Sequence, residues 1–203
     1  MIKKMILLSV MSQCLMTGAP MKAEAVVVST HSFANCNFVD TGQKLCYNAT
    51  GPVACPAPGA ALAQDGTYTT GAAQQGYTIH NYGGGLVTVD DRTGLMWVTD
   101  SGAATYSWTD ALASCENLVF ASYSDWRLPN ARELMSLVDY GVSAGPTLSA
   151  AFFPGTQANY YWTSSTYVQD PSLAWYVDFL AGYVNRDDKA GGANYARCVR
   201  GGP

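Results

Sequence analysis

Apolar and polar residues change period twice along the back half of this chain. Leu86-Val87-Thr88-Val89 and Leu95-Met96-Trp97-Val98 are short apolar runs separated by Asp90-Asp91-Arg92-Thr93-Gly94. This pattern predicts two strands joined by a hairpin loop, with Gly94 at the position where a positive φ costs least. The period then lengthens. Trp108, Leu112, Cys115 and Val119 recur at helical spacing, behind a Ser107 able to cap the free N–H groups and an Asp110 suited to the positive helix end. A second helix is predicted after Asp125-Trp126-Arg127-Leu128-Pro129-Asn130. Asn130 and Glu133 have capping-box spacing, Leu134, Leu137 and Val138 form the buried stripe, and Gly141 is the stop. From Tyr160 the period shortens again. Tyr160–Thr166 reads as a strand, and Ala174–Phe179 sets Trp175, Val177 and Phe179 on one face and Tyr176 and Asp178 on the other. Ala181-Gly182 turns the chain into Tyr183–Asn185, and Tyr195–Arg200 is the last strand.

The front of the chain carries no such rhythm. Residues 26–81 are rich in Ala, Gly, Thr, Pro and Gln and predict a turn-rich, extended segment, ended by Gly83-Gly84-Gly85. The ordered domain is expected over 82–203, beginning near Tyr82. Residues 1–25 have the layout of a secretory signal peptide: Lys3 and Lys4, an apolar stretch from Met5 to Met16 too short for a span, then Ala23-Glu24-Ala25 before Val26. Cys14 falls within that discarded piece. No later stretch approaches the ~18 apolar residues of a membrane span, so the mature chain is expected to have none.

Cleavage after Ala25 leaves 8 basic against 14 acidic residues, a formal charge of −6. An acidic surface repels polyanion backbones, which argues against nucleic acid as a partner. Export changes the reading of the cysteines, because an oxidising compartment favours disulfides. Cys46 and Cys55 close a short loop and are the expected local pair. Cys115 on the inward helix face and Cys198 on the last strand are the expected long-range pair. Cys36 is left over: it competes for Cys46, bridges to another chain or stays free. With His31 and His80 the sole histidines and no C-x-x-C, no metal site is expected. Asp90-Asp91 beside Arg92 falls short of the ~6 oxygen ligands that calcium takes, and reads as turn chemistry. Arg127 and Glu133 read as a loop-fixing pair rather than an active-site pair.

Five motifs follow one another in order: Asp91-Arg92-Thr93-Gly94-Leu95-Met96-Trp97; Trp108 through Ala111-Leu112 to Cys115; Asp125-Trp126-Arg127-Leu128-Pro129-Asn130 to Glu133-Leu134; Tyr161-Trp162-Thr163-Ser164-Ser165; and Ala196-Arg197-Cys198-Val199-Arg200-Gly201. The set resembles the C-terminal domain of the Legionella collagen-like adhesin over about residues 82–201. Asp40-Thr41-Gly42-Gln43 through Cys46 to Cys55-Pro56 and Asp65-Gly66 is similar to the leader found before such domains. The resemblance implies an α+β, C-type-lectin-like fold of the formylglycine-generating-enzyme type, with two helices and a small, mostly antiparallel sheet. It also implies a helix cysteine bonded to a last-strand cysteine, and surface recognition. No Gly-X-Y tract occurs, so the collagen-like stalk does not carry over. The lectin calcium motifs Glu-Pro-Asn and Trp-Asn-Asp are missing, and Gly192-Ala193-Asn194-Tyr195 stands before the last cysteine. The resemblance is bacterial, so the sequon Asn48-Ala49-Thr50 is expected to stay unmodified.

Residues 160–195 hold six of the thirteen tyrosines and two of the five tryptophans, mixed with Ser, Asn, Asp and Gly. Rigid aromatic anchors among adaptable polar groups suit a contact surface. The expected exposed ligand-binding residues are Tyr167, Tyr176, Tyr183, Asn185, Arg186, Asp188, Lys189, Asn194 and Tyr195, with a joint Tyr183 and Arg186 replacement weakening binding. The expected partner is a glycan or protein ligand on a cell surface. The location is secreted or cell-surface, with the periplasm as the alternative, and an oligomer is left open. No cofactor and no catalysis are expected, since the cysteines are better used as bridges and no Ser-His-Asp set has a plausible context. The alternatives are a structural subunit of a surface assembly and, behind it, a formylglycine-generating-type enzyme.

Overall fold

The computed structural model describes residues 41–68 and 76–201. The elements run β1 (Cys46–Asn48), β2 (Gly51–Val53), α1 (Asp65–Tyr68), β3 (Tyr77–Tyr82), β4 (Gly85–Asp90), β5 (Met96–Val98), β6 (Thr105–Tyr106), α2 (Trp108–Glu116), α3 (Ala131–Met135), β7 (Tyr160–Thr166), β8 (Leu173–Asp178), β9 (Tyr183–Asp188), β10 (Asn194–Tyr195) and β11 (Val199–Arg200). The described residues are α+β with strand dominating. One sheet has the order β11-β5-β4-β3 and a second the order β6-β10-β7-β8-β9, while β1 and β2 pair by themselves. Pairing is antiparallel except between β10 and β7. The expected signal peptide, residues 1–25, together with Cys36 and His31, lies outside the described residues.

The β4–β5 hairpin forms as the pattern predicts. Gly94 takes φ +71°, and the loop closes through Asp90 N–H to Leu95 O at 2.8 Å and Gly94 N–H to Asp90 O at 2.8 Å. The Asp90 carboxylate accepts from Arg92 N and the Thr93 hydroxyl, and Asp91 accepts from the Thr78 hydroxyl. The acidic pair is thus occupied by its own turn and by the neighbouring strand. β3 starts before the expected boundary at Tyr82. Its first residue, Tyr77, is buried edge-on against Phe153 at 5.1 Å, so tertiary packing recruits a stretch whose own alternation is weak.

Both main helices begin where the caps predict and end sooner than expected. Ser107 Oγ accepts from Asp110 N, and Asn130 and Glu133 complete a reciprocal capping box. α2 stops at Glu116, so Val119, placed on its buried face by periodicity, is 76% exposed. α3 is five residues long and stops well short of Gly141, yet Leu134, Leu137 and Val138 are all buried as expected, the last two from the turns that follow it. Arg127 bonds Glu133 through both terminal nitrogens at 2.8 Å and reaches Gly201 O at 3.3 Å, while its backbone pairs with Val199. It fixes the loop by bonding a carboxylate and a carbonyl, as read from the sequence, and the structure shows that it thereby ties the loop to β11.

The last strand is two strands. β10 joins the larger sheet and β11 the smaller, with Ala196-Arg197-Cys198 crossing between them. Arg197 is fully buried at this crossing. Its guanidinium donates to the carbonyls of Val98 and Thr99 and to the Thr156 hydroxyl, and lies 5.1 Å from the Phe153 ring centre. Burial pushes its pKa down to about 10, so it keeps its charge at neutral pH. Cys198 bonds Cys115 with Cα atoms 5.3 Å apart, and Cys46 bonds Cys55 at 5.0 Å, the two expected pairs.

Candidate functional site

β-strand alternation divides the aromatic segment of residues 160–195 into two faces. Residues directly opposite one another across a ladder share a face. The pairs Tyr160–Asp178, Trp162–Tyr176, Asp178–Tyr183, Tyr176–Asn185 and Ala174–Asp187 therefore lie together on one side of β7-β8-β9. Tyr161–Val177, Val177–Val184 and Trp175–Arg186 lie on the other.

The first face changes character along its length. At one end Trp162 and Ala174 pack under α2, against Ala111 and Cys115. At the other end Tyr160 and Tyr183 are 36% and 41% exposed. Tyr160 stacks on Tyr176 with ring centres 4.4 Å apart, and Tyr183 interacts with both phenols and with Asp178. Desolvation, and then Tyr183 and Tyr160, push the Tyr176 phenol up; desolvation, and then Asp178, do the same to Tyr183. Both hydroxyls stay protonated over the whole neutral range and can donate. Asn185 is exposed beside them. Asp187 is half-buried and accepts from Asn194 Nδ2 at 3.1 Å. The loop behind Asp187 comes close because residue 192 is glycine: a Cβ there would sit 2.7 Å from Asp187 Oδ2, from the Asp188 carbonyl and from the Trp162 ring.

On the opposite face Tyr161, Val177 and Val184 belong to the main core. At its rim Tyr167 meets Trp175 edge-on at 5.2 Å, and the Arg186 guanidinium lies 4.7 Å from the Tyr167 ring centre.

The expected ligand residues are thus not one patch. Tyr183 and Asn185 are exposed on the tyrosine face. Tyr176 and Asn194, expected to be exposed, are buried at 6% and 5% and serve as its floor. Tyr176 fails the expectation because the Tyr160 ring stacks on it and Trp162 and Ala174 pack beside it. Arg186 and Tyr167 point to the opposite face, so a joint Tyr183 and Arg186 replacement spans two surfaces. Lys189 is half-buried with its ammonium 4.0 Å from the Trp108 ring centre and bonded to the Thr166 hydroxyl. Asp188 accepts from Ala190 N and Gly191 N, which hold its carboxyl below the usual range and make it a turn residue. Tyr195 is half-buried, stacked on Tyr161 at 5.3 Å. The sequence reading omits Tyr160 and Asp187, both on the tyrosine face. The i, i+2 partners of Trp162 and Asn185 are the signal that finds them.

Residues 86–200 match the family described as the Lcl C-terminal domain. The chain belongs to that family. No curated protein sequence matches it. The matched span of the Lcl C-terminal domain runs from β4 to β11, so it takes in the tyrosine face and the Cys115–Cys198 bond, and leaves out β3 and the Cys46–Cys55 hairpin.

Proposed function

We propose that this Lcl C-terminal domain belongs to an exported adhesin-type protein that binds a glycan on a cell surface through the open end of the tyrosine face. The observation that carries this is the grouping of Tyr160, Tyr176 and Tyr183 with Asn185, Asp187 and Asn194 on one side of β7-β8-β9. Exposed phenol rings offer flat apolar faces to the apolar side of a sugar ring, while the phenol hydroxyls, the amide and the carboxylate match its hydroxyls. The Tyr160 and Tyr176 rings are held by their mutual stacking, so they lose little side-chain entropy on binding. The reading includes a C-type-lectin-like architecture, supported by the bond between α2 and the β10–β11 crossing. It includes no catalytic step: Cys115 and Cys198, the thiols a formylglycine-generating-type chemistry would draw on, are spent on each other.

A glycan array probed with the secreted chain, with and without calcium, tests the proposal. Tyr183→Ala with Asn185→Ala is expected to lower binding by roughly tenfold or more, since truncating one central aromatic anchor commonly costs above ~1 kcal/mol. Arg186→Ala, on the opposite face, is expected to leave it unchanged. Loss of binding in Arg186→Ala alone moves the site to the other face and ends this reading.

A further inference from the structure

A cleft of about 230 Å³ opens beside the Cys115–Cys198 bond. Val98, Asp100 and Ser101 from the end of β5 and the chain beyond it form one wall, and Ser114, Leu118 and Phe120 from α2 and the following turn form the other. Tyr106 and Cys198 complete the lining with Ala196. Apolar groups come from Val98, Leu118, Phe120 and Ala196, and polar groups from Asp100, Ser101 and Ser114.

We propose that this cleft is a second binding site, for a single-ring molecule with an apolar body and hydroxyl donors at one end. Volume sets the size. Sites for drug-sized ligands begin at roughly 300 Å³, so this one suits one ring and excludes a chain of rings from its interior. The polar chemistry sets the donors. Ser101 Oγ is buried and has no hydrogen-bond partner among the described residues, an arrangement that favours a bound polar atom over an empty cleft. Asp100 is an acceptor in a fixed place: its Oδ1 takes Gly102 N–H at 2.9 Å, and the Gly155 turn abuts it so closely that a Cβ there would lie 2.5 Å from that oxygen. The nearby Arg197 turns its two terminal nitrogens to the Val98 and Thr99 carbonyls and to the Thr156 hydroxyl, and so holds the wall. A carboxylate at the mouth disfavours anionic ligands. The tyrosine face shares none of the lining residues, so this site stands whether or not that face binds glycan.

Amide-resolved NMR titration of the full chain tests the inference, with benzyl alcohol and methyl β-galactopyranoside as probes and benzoate as the anionic control. Saturable shifts at Ser101, Tyr106, Ser114 and Leu118 are expected with at least one neutral probe. The tighter of the two tells whether the source is a free small alcohol or the end ring of a glycan. Benzoate is expected to bind several-fold more weakly. Ser114→Trp is expected to fill the cleft and abolish the shifts. Ser101→Ala, which leaves the fold in place, is expected to weaken the neutral probe by up to roughly tenfold through one lost hydrogen bond. No saturable shift with either neutral probe, shifts confined to Tyr160 and Tyr183, or affinity unchanged in both variants overturns it.

Discussion

Glu133 does three things at once, and its environment shows how one residue can hold a local fold. It accepts the N–H of Asn130 in the capping box, takes both terminal guanidinium nitrogens of Arg127, and through Arg127 reaches the Gly201 carbonyl just after β11. Desolvation raises its pKa, but the hydrogen bond from Arg127 and that from Asn130 outweigh it, and the carboxyl lies below its ordinary value. A depressed carboxyl contributes stability that is present above its unfolded pKa of about 4.3 and is lost as pH falls through the folded value. Glu133→Gln is therefore expected to cost about 1–2 kcal/mol at neutral pH, a figure reduced for the 38% exposure of the Arg127 side chain. The gap from the native chain should narrow as pH falls below the unfolded value and through the lower folded one. Chemical denaturation at several pH values measures this, and a gap independent of pH contradicts it. The capping role was legible from the Asn130–Glu133 spacing, and the bridge to Arg127 from the pairing of charge in one short loop. The burial of Tyr176 was not legible, because alternation says which face a residue takes and not what covers that face. Asn194 was hidden for a related reason: only the folded β9–β10 neighbourhood brings Asp187 to its amide.

Among the elements, those that follow one dominant period were readable from the sequence, and those decided by a neighbour were not. β7 has the expected bounds, and the β4–β5 hairpin differs from expectation by a residue or so at its ends. The final segment fooled the pattern because Tyr195 through Arg200 looks extended throughout, while Arg197 requires carbonyls that only a crossing between sheets supplies. The β9–β10 connection shows the same dependence. Gly192 lets the loop lie against Asp187 and Trp162, and neither the backbone carbonyl of Asp188 nor a fully buried indole can yield easily to a new methyl group. Gly192→Ala is expected to cost about 1–3 kcal/mol by overpacking. It should also disturb the Asp187–Asn194 bond that floors the tyrosine face. Thermal unfolding together with glycan binding separates this from a plain loop effect: stability and binding should fall together. An unchanged melting temperature means the loop relaxes outward and the close approach matters little.

At the scale of the whole molecule, two covalent ties act over different spans. Cys46–Cys55 closes nine residues within a hairpin, whereas Cys115–Cys198 closes 83 and ties α2 to the crossing between the two sheets. In the chain-entropy account a longer loop restrains the unfolded chain more, by about 4.5 kcal/mol for the long tie against about 2.5 for the short one. The long tie also has packing beneath it: Cys115 is fully buried with Ala111, Leu128 and Trp162, so removing it also opens a gap under the covered end of the tyrosine face. Paired Cys115→Ala and Cys198→Ala replacement is thus expected to lower stability by at least about 4 kcal/mol. Paired replacement of Cys46 and Cys55 should cost about half as much. Denaturant titration of the two variants provides the comparison. If the short tie proves the costlier, the two sheets are held together mainly by Arg197 and the packing around it, and the bond from α2 is only an addition to a crossing already fixed.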